Sequence, residues 1–417
     1  PPHLHLARRR TQTSGLTRST WRLRLLPAPS TRSSRSSRAR RRCTSRCSTR
    51  SSHWRRPRSR LASGSARTSL IVAGLVSLDT GGKGVILFIL GALLGASFLF
   101  FQYGFASGWR LLITQGDTRP MGYHFLLVGL CSLVFLPVSF LDLGASGSLA
   151  PISISLIMGS FIFGIGMQLA NGCGSGVLFT YGGGSARMLF ALPGFVIGSV
   201  LGSLALPPVL EWGALNPIAI GGSDSLLVSL LTNASLIFGV MAVCFYLAHK
   251  TGRALSKKWL LGTGLIAVLC ALVFVISGHP WGVTFGFTVW GGKLALLAGL
   301  PIDKAVFWQW PGPALALKQS VFADISSLMN FGMIIGAGFL AAITASFAQQ
   351  PWPPSRQLIA AIIGGLLMGV GARLAFGCNI GAFLAGISSG SLHGWLWAIC
   401  ALAGSWIGIK IRPYFGF

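Results

Sequence analysis

From residue 84 onward the chain alternates long apolar runs with short polar or glycine-rich breaks. Runs able to span or half-span a bilayer lie near 84–101, 121–141, 153–170, 187–206, 226–248, 259–277, 283–301, 328–348, 357–376 and 392–411. A hydrocarbon core takes about 20 apolar helical residues, so the pattern predicts roughly 8–11 spans. A short run at 69–78 predicts an interfacial helix. The segment 302–327 mixes Asp303, Lys304, Trp308, Trp310, Lys318 and Asp324, and predicts a connection at the membrane interface. The expected fold is all-α, a polytopic helical membrane protein.

Two stretches of this pattern are near copies. Gly164-Ile-Gly-Met-Gln-Leu-Ala-Asn-Gly-Cys173-Gly-Ser-Gly176 and Gly369-Val-Gly-Ala-Arg-Leu-Ala-Phe-Gly-Cys378-Asn-Ile-Gly381 share 7 of 13 residues. A fainter pair, Gly95 to Gly104 and Gly282 to Gly291, shares Gly, Phe, Phe and Gly, with Tyr103 against Trp290. A hydrophobic chain that repeats a Gly-Cys breakpoint predicts two pseudosymmetric halves, 67–250 and 251–417, whose broken or re-entrant helices meet at a central path.

Charge divides the chain. The formal net charge is +27, yet residues 1–60 hold 18 Arg and no acid. That Arg/Ser-rich leader, taken as residues 1–66, is too polar to bury a core. It is expected to be a disordered extension, non-native or without function. Targeting and charge-driven binding to nucleic acid or anionic lipid are the other readings; no nucleic-acid partner is expected for the rest of the chain. In the membrane part, loop 249–258 carries Lys250, Arg253, Lys257 and Lys258, which predicts the cytoplasmic side. Loop 207–225, with Glu211 and Asp224 and no base, predicts the opposite side.

No CxxC occurs among the eight cysteines, and Cys43 and Cys47 lack a second ligand pair, so neither a metal site nor a cofactor is expected. Cys131, Cys244, Cys270 and Cys400 sit in plain apolar runs and read as small hydrophobes. Cys173 and Cys378 differ. Gly172 and Gly174 flank the first, and Gly377 and Asn379 the second. Each group predicts a helix break, where free N–H groups and a positive dipole end attract anions; close packing through small residues is the plainer alternative. Arg373 and Lys293 fall at membrane depth, where a charge lines a pathway or snorkels to an interface. The few acids lie in or near loops, which favours an anion path over a carboxylate proton relay. A thiol is a soft, weak hydrogen-bond donor suited to a substrate with terminal sulfur; as a thiolate it could exchange sulfur covalently.

Residues 372–383 (Ala-Arg-Leu-Ala-Phe-Gly-Cys378-Asn-Ile-Gly-Ala-Phe), preceded by Gly371 and followed by Ser391-Leu-His393-Gly-Trp395, resemble the signature of the YeeE/YedE family of sulfur-transport membrane proteins. Ala170-Asn171-Gly-Cys173-Gly-Ser-Gly, with Tyr181-Gly-Gly-Gly and Arg187, resembles its first-half counterpart. The resemblance covers roughly 84–417. It implies uptake of thiosulfate, or a related sulfur or selenium species, through the bacterial inner membrane, with the ion passed between cysteines matching Cys173 and Cys378. It also implies a small soluble sulfur-carrier protein as partner, beside the membrane lipid. A third family cysteine is expected where this chain has Ala106, followed by Ser107.

The leading expectation is therefore a permease for a sulfur-containing anion, not an enzyme. It needs no ATP site, and no G-x-x-x-x-G-K-[ST] occurs. The alternatives are a membrane thiol-dependent sulfurtransferase or oxidoreductase, and a scaffold in which the Gly-Cys elements only pack.

Overall fold

A computed structural model describes residues 81–222, 224–347 and 352–417. The leader and the run at 69–78 lie outside the described residues. The protein is an all-α polytopic membrane protein. Among the described residues nine helical stretches are long and apolar enough to cross a bilayer.

In chain order the helices are α1 (81–101), α2 (Phe105–Gln115), α3 (Arg119–Phe140), α4 (Ile154–Ala170), α5 (Gly174–Gly182), α6 (Ala186–Leu210), α7 (Leu226–Lys250) and α8 (Lys257–Ser277). They continue as α9 (Val283–Leu297), α10 (Val306–Gln309), α11 (Pro311–Lys318), α12 (Ile325–Ile343) and α13 (Ser355–Leu374). A π-helical segment (Asn379–Leu384), α14 (Ala385–Ser388) and α15 (Leu392–Ile411) complete the set. A two-residue antiparallel pair, β1 (Ile152–Ser153) with β2 (Ala214–Leu215), ties the entry of α4 to the loop after α6. The interfacial segment predicted at 302–327 holds the short helices α10 and α11. The run at 283–301 gives a helix of 15 residues, about 22 Å long and short of a full span.

The chain marks helix starts locally. Ser153 accepts from Leu156 N at 3.1 Å and Asp324 from Ser327 N at 2.7 Å, which satisfies an amide the helix leaves free. Several ends turn through left-handed residues, Gly116 after α2 and Gly278 after α8 among them.

Glycine contacts fix the relative helix directions. Gly91 and Gly95 of α1 meet Met329 and Met333 of α12 in the same order, so these helices run parallel. On α3, Tyr123, Cys131 and Phe135 meet Ser256, Ala267 and Phe274 in the same order, so α3 and α8 are parallel. Gly194, Gly198 and Gly202 of α6 step along Ile362, Leu366 and Val370 of α13, again parallel. Gly404 and Gly408 of α15 follow Phe161 and Ile165 of α4. By contrast, Gly159 and Gly166 of α4 meet Gly371 and Gly364 of α13 in reverse order. Small residues let these backbones approach closely where lipid supplies no hydrophobic drive.

Two sets of contacts mark the faces. Asp117, between α2 and α3, pairs with Arg119 at 2.8 Å and with Arg253 at 3.4 Å, on the face of the basic loop. At the other face Ser146 N donates to Gly278 O at 2.9 Å and Ser148 N to Ser389 Oγ at 2.9 Å. Helix α7 is the least buried span, with 17% of its apolar window covered, and it lies between the two motif-bearing groups in sequence.

The fainter sequence pair does not occupy matching places. Gly95 lies within α1, whereas Gly282 is the N-cap of α9. Gly104, the N-cap of α2, and Gly282 each follow a helix end and open the next short helix.

Candidate functional site

Both cysteines sit at interruptions of the same backbone form. After α4, Asn171 turns left-handed (φ 63°), Gly172 follows, and Cys173 is extended (φ −92°, ψ −171°) before α5 begins. After α13, Phe376 turns left-handed (φ 58°), Gly377 follows at φ 154°, and Cys378 is extended (φ −109°, ψ −164°). A φ of 154° favours glycine, and a Cβ at Gly377 would lie 2.8 Å from Ala382 N, so residue 377 must be small. No side chain caps the first amides of α5 or of the π-helical segment. Asn379 is fully buried, and neither of its amide atoms has a protein partner.

The two interruptions touch. A Cβ built on Gly174 would lie 3.0 Å from the Cys378 sulfur and 3.4 Å from Thr284 Cγ2. Cys378 thus packs directly on the residue that follows Cys173. The Cys173 sulfur lies 3.5 Å from Ser175 Oγ. Both cysteines are buried, and among the described residues neither forms a disulfide.

A cavity approaches this junction from either side. One, of about 240 Å³, is lined by Gly104, Ala106, Ser107, Arg110, Asn171 and Cys173, among others. The other, of about 290 Å³, is lined by His279, Trp281, Thr284, Arg373, Gly377 and Gly381, among others. Among the described residues no carboxylate lines either one. Both linings hold glycines of the interruptions, Gly172 and Gly176 in the first and Gly377 and Gly381 in the second.

The other expected site residues fall into two groups. Ala106 and Ser107 face the first cavity; Ser107 Oγ donates to Gly104 O at 3.0 Å, and Ala106 O accepts from Gln168 Nε2 at 3.2 Å. Arg373 is 9% exposed, stands over Phe285 (5.7 Å) and Phe307 (5.8 Å), and leaves Nε without a partner. Lys293 lies elsewhere: its Nζ donates to the carbonyls of Leu317, at 2.8 Å, and Gln319, at the end of α11. There a cation satisfies free carbonyls. Trp281, with Nε1 buried and unpartnered, and Arg110 were not singled out from the sequence. The only sequence signal for Arg110 is its place four residues after Ala106, one helical turn along α2.

A family model described as sulphur transport matches residues 102–407. The chain belongs to that family. The sulphur transport match begins at the end of α1 and runs through both interruptions into α15. Among relatives, "Probable transporter YedE" of Escherichia coli (strain K12) is 39% identical over 159 residues, 37% of this chain and 38% of that protein. "Thiosulfate transporter TsuA" of Spirochaeta thermophila is 31% identical over 268 residues, 60% of this chain and 75% of that protein. The TsuA of Escherichia coli (strain K12) is 25% identical over 350 residues, 78% of this chain and 94% of that protein. The chain spans about two fifths of the length of the YedE relatives it matches.

Proposed function

We propose that this member of the sulphur transport family is a permease for thiosulfate or a closely related sulfur-containing anion. The anion passes from the Arg373 cavity, past Cys378 and Cys173, to the Arg110 cavity. The observation that carries this reading is the contact of Cys378 with Gly174 between two cavities free of carboxylates. The names of the TsuA relatives support the choice of anion. Arg373 would attract the anion, and the S–H groups would donate weakly to its soft terminal sulfur. Asn379, Gly172, Gly174 and Gly377 would shape the passage. Ser107 would offer a hydroxyl beside Ala106, where a third thiol was expected.

The halves fit an inverted repeat in this proposal. The unit α1–α6 and the unit α8–α15 share the order long helix, short helix, span, span, interruption, span, and α7 connects them. The antiparallel packing of α4 on α13 favours an axis in the membrane plane. The face of loop 249–258 would be cytoplasmic, in a bacterial inner membrane, and a soluble sulfur carrier would meet the protein there.

Growth on thiosulfate as sole sulfur source, in a bacterium lacking its own sulfate and thiosulfate uptake, tests the reading. Wild type should rescue growth and Cys378→Ala should not, with equal protein in the membrane. Equal rescue by Cys173→Ala and Cys378→Ala would refute the cysteine path. Persulfide on either thiol during turnover would favour covalent sulfur transfer instead.

A further inference from the structure

Arg110 lines the cavity that reaches Cys173, and Arg412 and Arg187 lie beside it near Asn171. Arg110 Nη1 donates to Asn171 Oδ1 at 2.6 Å. Arg412 Nη1 lies 3.4 Å from the same oxygen and donates to Gln168 O at 2.5 Å. Arg187 Nη2 donates to Gln357 Oε1, while its buried Nε has no protein partner. The Phe417 ring links the last two, 4.0 Å from the Arg412 guanidinium and 4.7 Å from that of Arg187. A neighbouring cavity of about 520 Å³, lined by Arg187, shares Asn171 and Thr180 with the cavity at Cys173.

Three half-buried like charges raise one another's energy, the more so away from bulk water. Among the described residues no carboxylate forms an ion pair with any of them. Guanidinium forks match an oxyanion better than any other ligand class. The cavity on the opposite side offers a single guanidinium, Arg373. We infer that Arg110, Arg187 and Arg412, gathered around Asn171, form a binding site for a tetrahedral sulfur oxyanion on the side of Cys173. It holds the anion after the thiol passage and before release. As a station in transport it rests on the proposed function; as a binding site it does not. A lipid phosphate shares the same chemistry and could compete for it.

The test is calorimetric titration of the full chain with thiosulfate, in nanodiscs of phosphatidylcholine. Loss of one charged hydrogen-bond donor should weaken binding about tenfold or more, so Arg187→Gln and Arg110→Gln should each do so. Arg187→Lys should recover part of the affinity. Arg356→Gln, at an exposed position on the same face, should match wild type. Affinity within about twofold of wild type for both glutamine variants would overturn the site, as would absence of wild-type binding. Retained affinity in phosphatidylglycerol nanodiscs assigns the site to the free oxyanion. Loss of thiosulfate binding there would hand the arginines to a lipid headgroup and overturn the assignment. Arginine-dependent binding without vesicle uptake would sink the transport reading and leave the site standing. Uptake with binding indifferent to the arginines would do the reverse.

Discussion

Replacement of Gly174 by alanine probes the junction between the two interruptions most directly. Residue 174 lies outside the left-handed region, so alanine adds no backbone strain. Its methyl would stand 3.0 Å from the Cys378 sulfur, 3.4 Å from Cys378 Cβ and 3.4 Å from Thr284 Cγ2. The sulfur must then retreat by a few tenths of an ångström into a packed interior. Overpacking of this kind costs about 1–3 kcal/mol. The lower entropy of the unfolded chain offsets about 0.4–1 kcal/mol of that. The variant should therefore fold and insert, with a net loss of about 2.6 kcal/mol or less. Transport should suffer far more, because the methyl fills the space through which the anion is proposed to pass. Uptake of radiolabelled thiosulfate into vesicles should fall about tenfold or more, an added barrier of at least about 1.4 kcal/mol. Gly264→Ala, on α8 and in neither cavity lining, is the comparison. Its methyl meets nothing within 4 Å, and uptake should stay within about threefold of wild type. Normal uptake by well-inserted Gly174→Ala protein would refute passage at the Cys378–Gly174 contact.

Other outcomes follow from single contacts. Ser155→Ala removes a buried hydrogen bond of 2.7 Å to Leu374 O, which joins α4 to the end of α13, and should lower stability by about 1–3 kcal/mol in a thermal melt. At Asp117 the Arg119 side chain, by hydrogen bonding, holds the carboxyl below its ordinary range. Its contribution is therefore present above the unfolded value of about 3.9 and is lost as pH falls through the lower folded value. Asp117→Asn should cost at most about 1 kcal/mol at pH 7, and the difference from wild type should vanish in melts at the acid end of the range. Cys244→Ala and Cys400→Ala, remote from both cavities, should leave thiosulfate uptake near wild type, and a large loss would show that the path lies elsewhere.

The sequence alone determined the class of fold, most of the spans and the two breakpoints. Each depends on neighbours along the chain: apolar run length sets a membrane helix, and Gly beside Cys in an apolar run marks where it stops. The site was legible to the same depth. Cys173 and Cys378 could be named from the repeat, Ala106 and Ser107 through the family resemblance alone, and Arg373 could be placed at membrane depth but not told from an interfacial anchor. Only tertiary structure decided which residues meet. Cys378 rests on Gly174 because α4 and α13 pack antiparallel through glycines about two hundred positions apart. Lys293 shares the apolar setting of Arg373, yet it serves the end of α11, because the carbonyls that satisfy it come from a connection whose path no local pattern sets. Arg110 and Arg187 lie on α2 and α6, Arg412 lies just past the end of α15, and the three share no motif. Charge carries no direction along a sequence, and only the packing of α2, α6 and α15 around Asn171 turns three scattered arginines into one site.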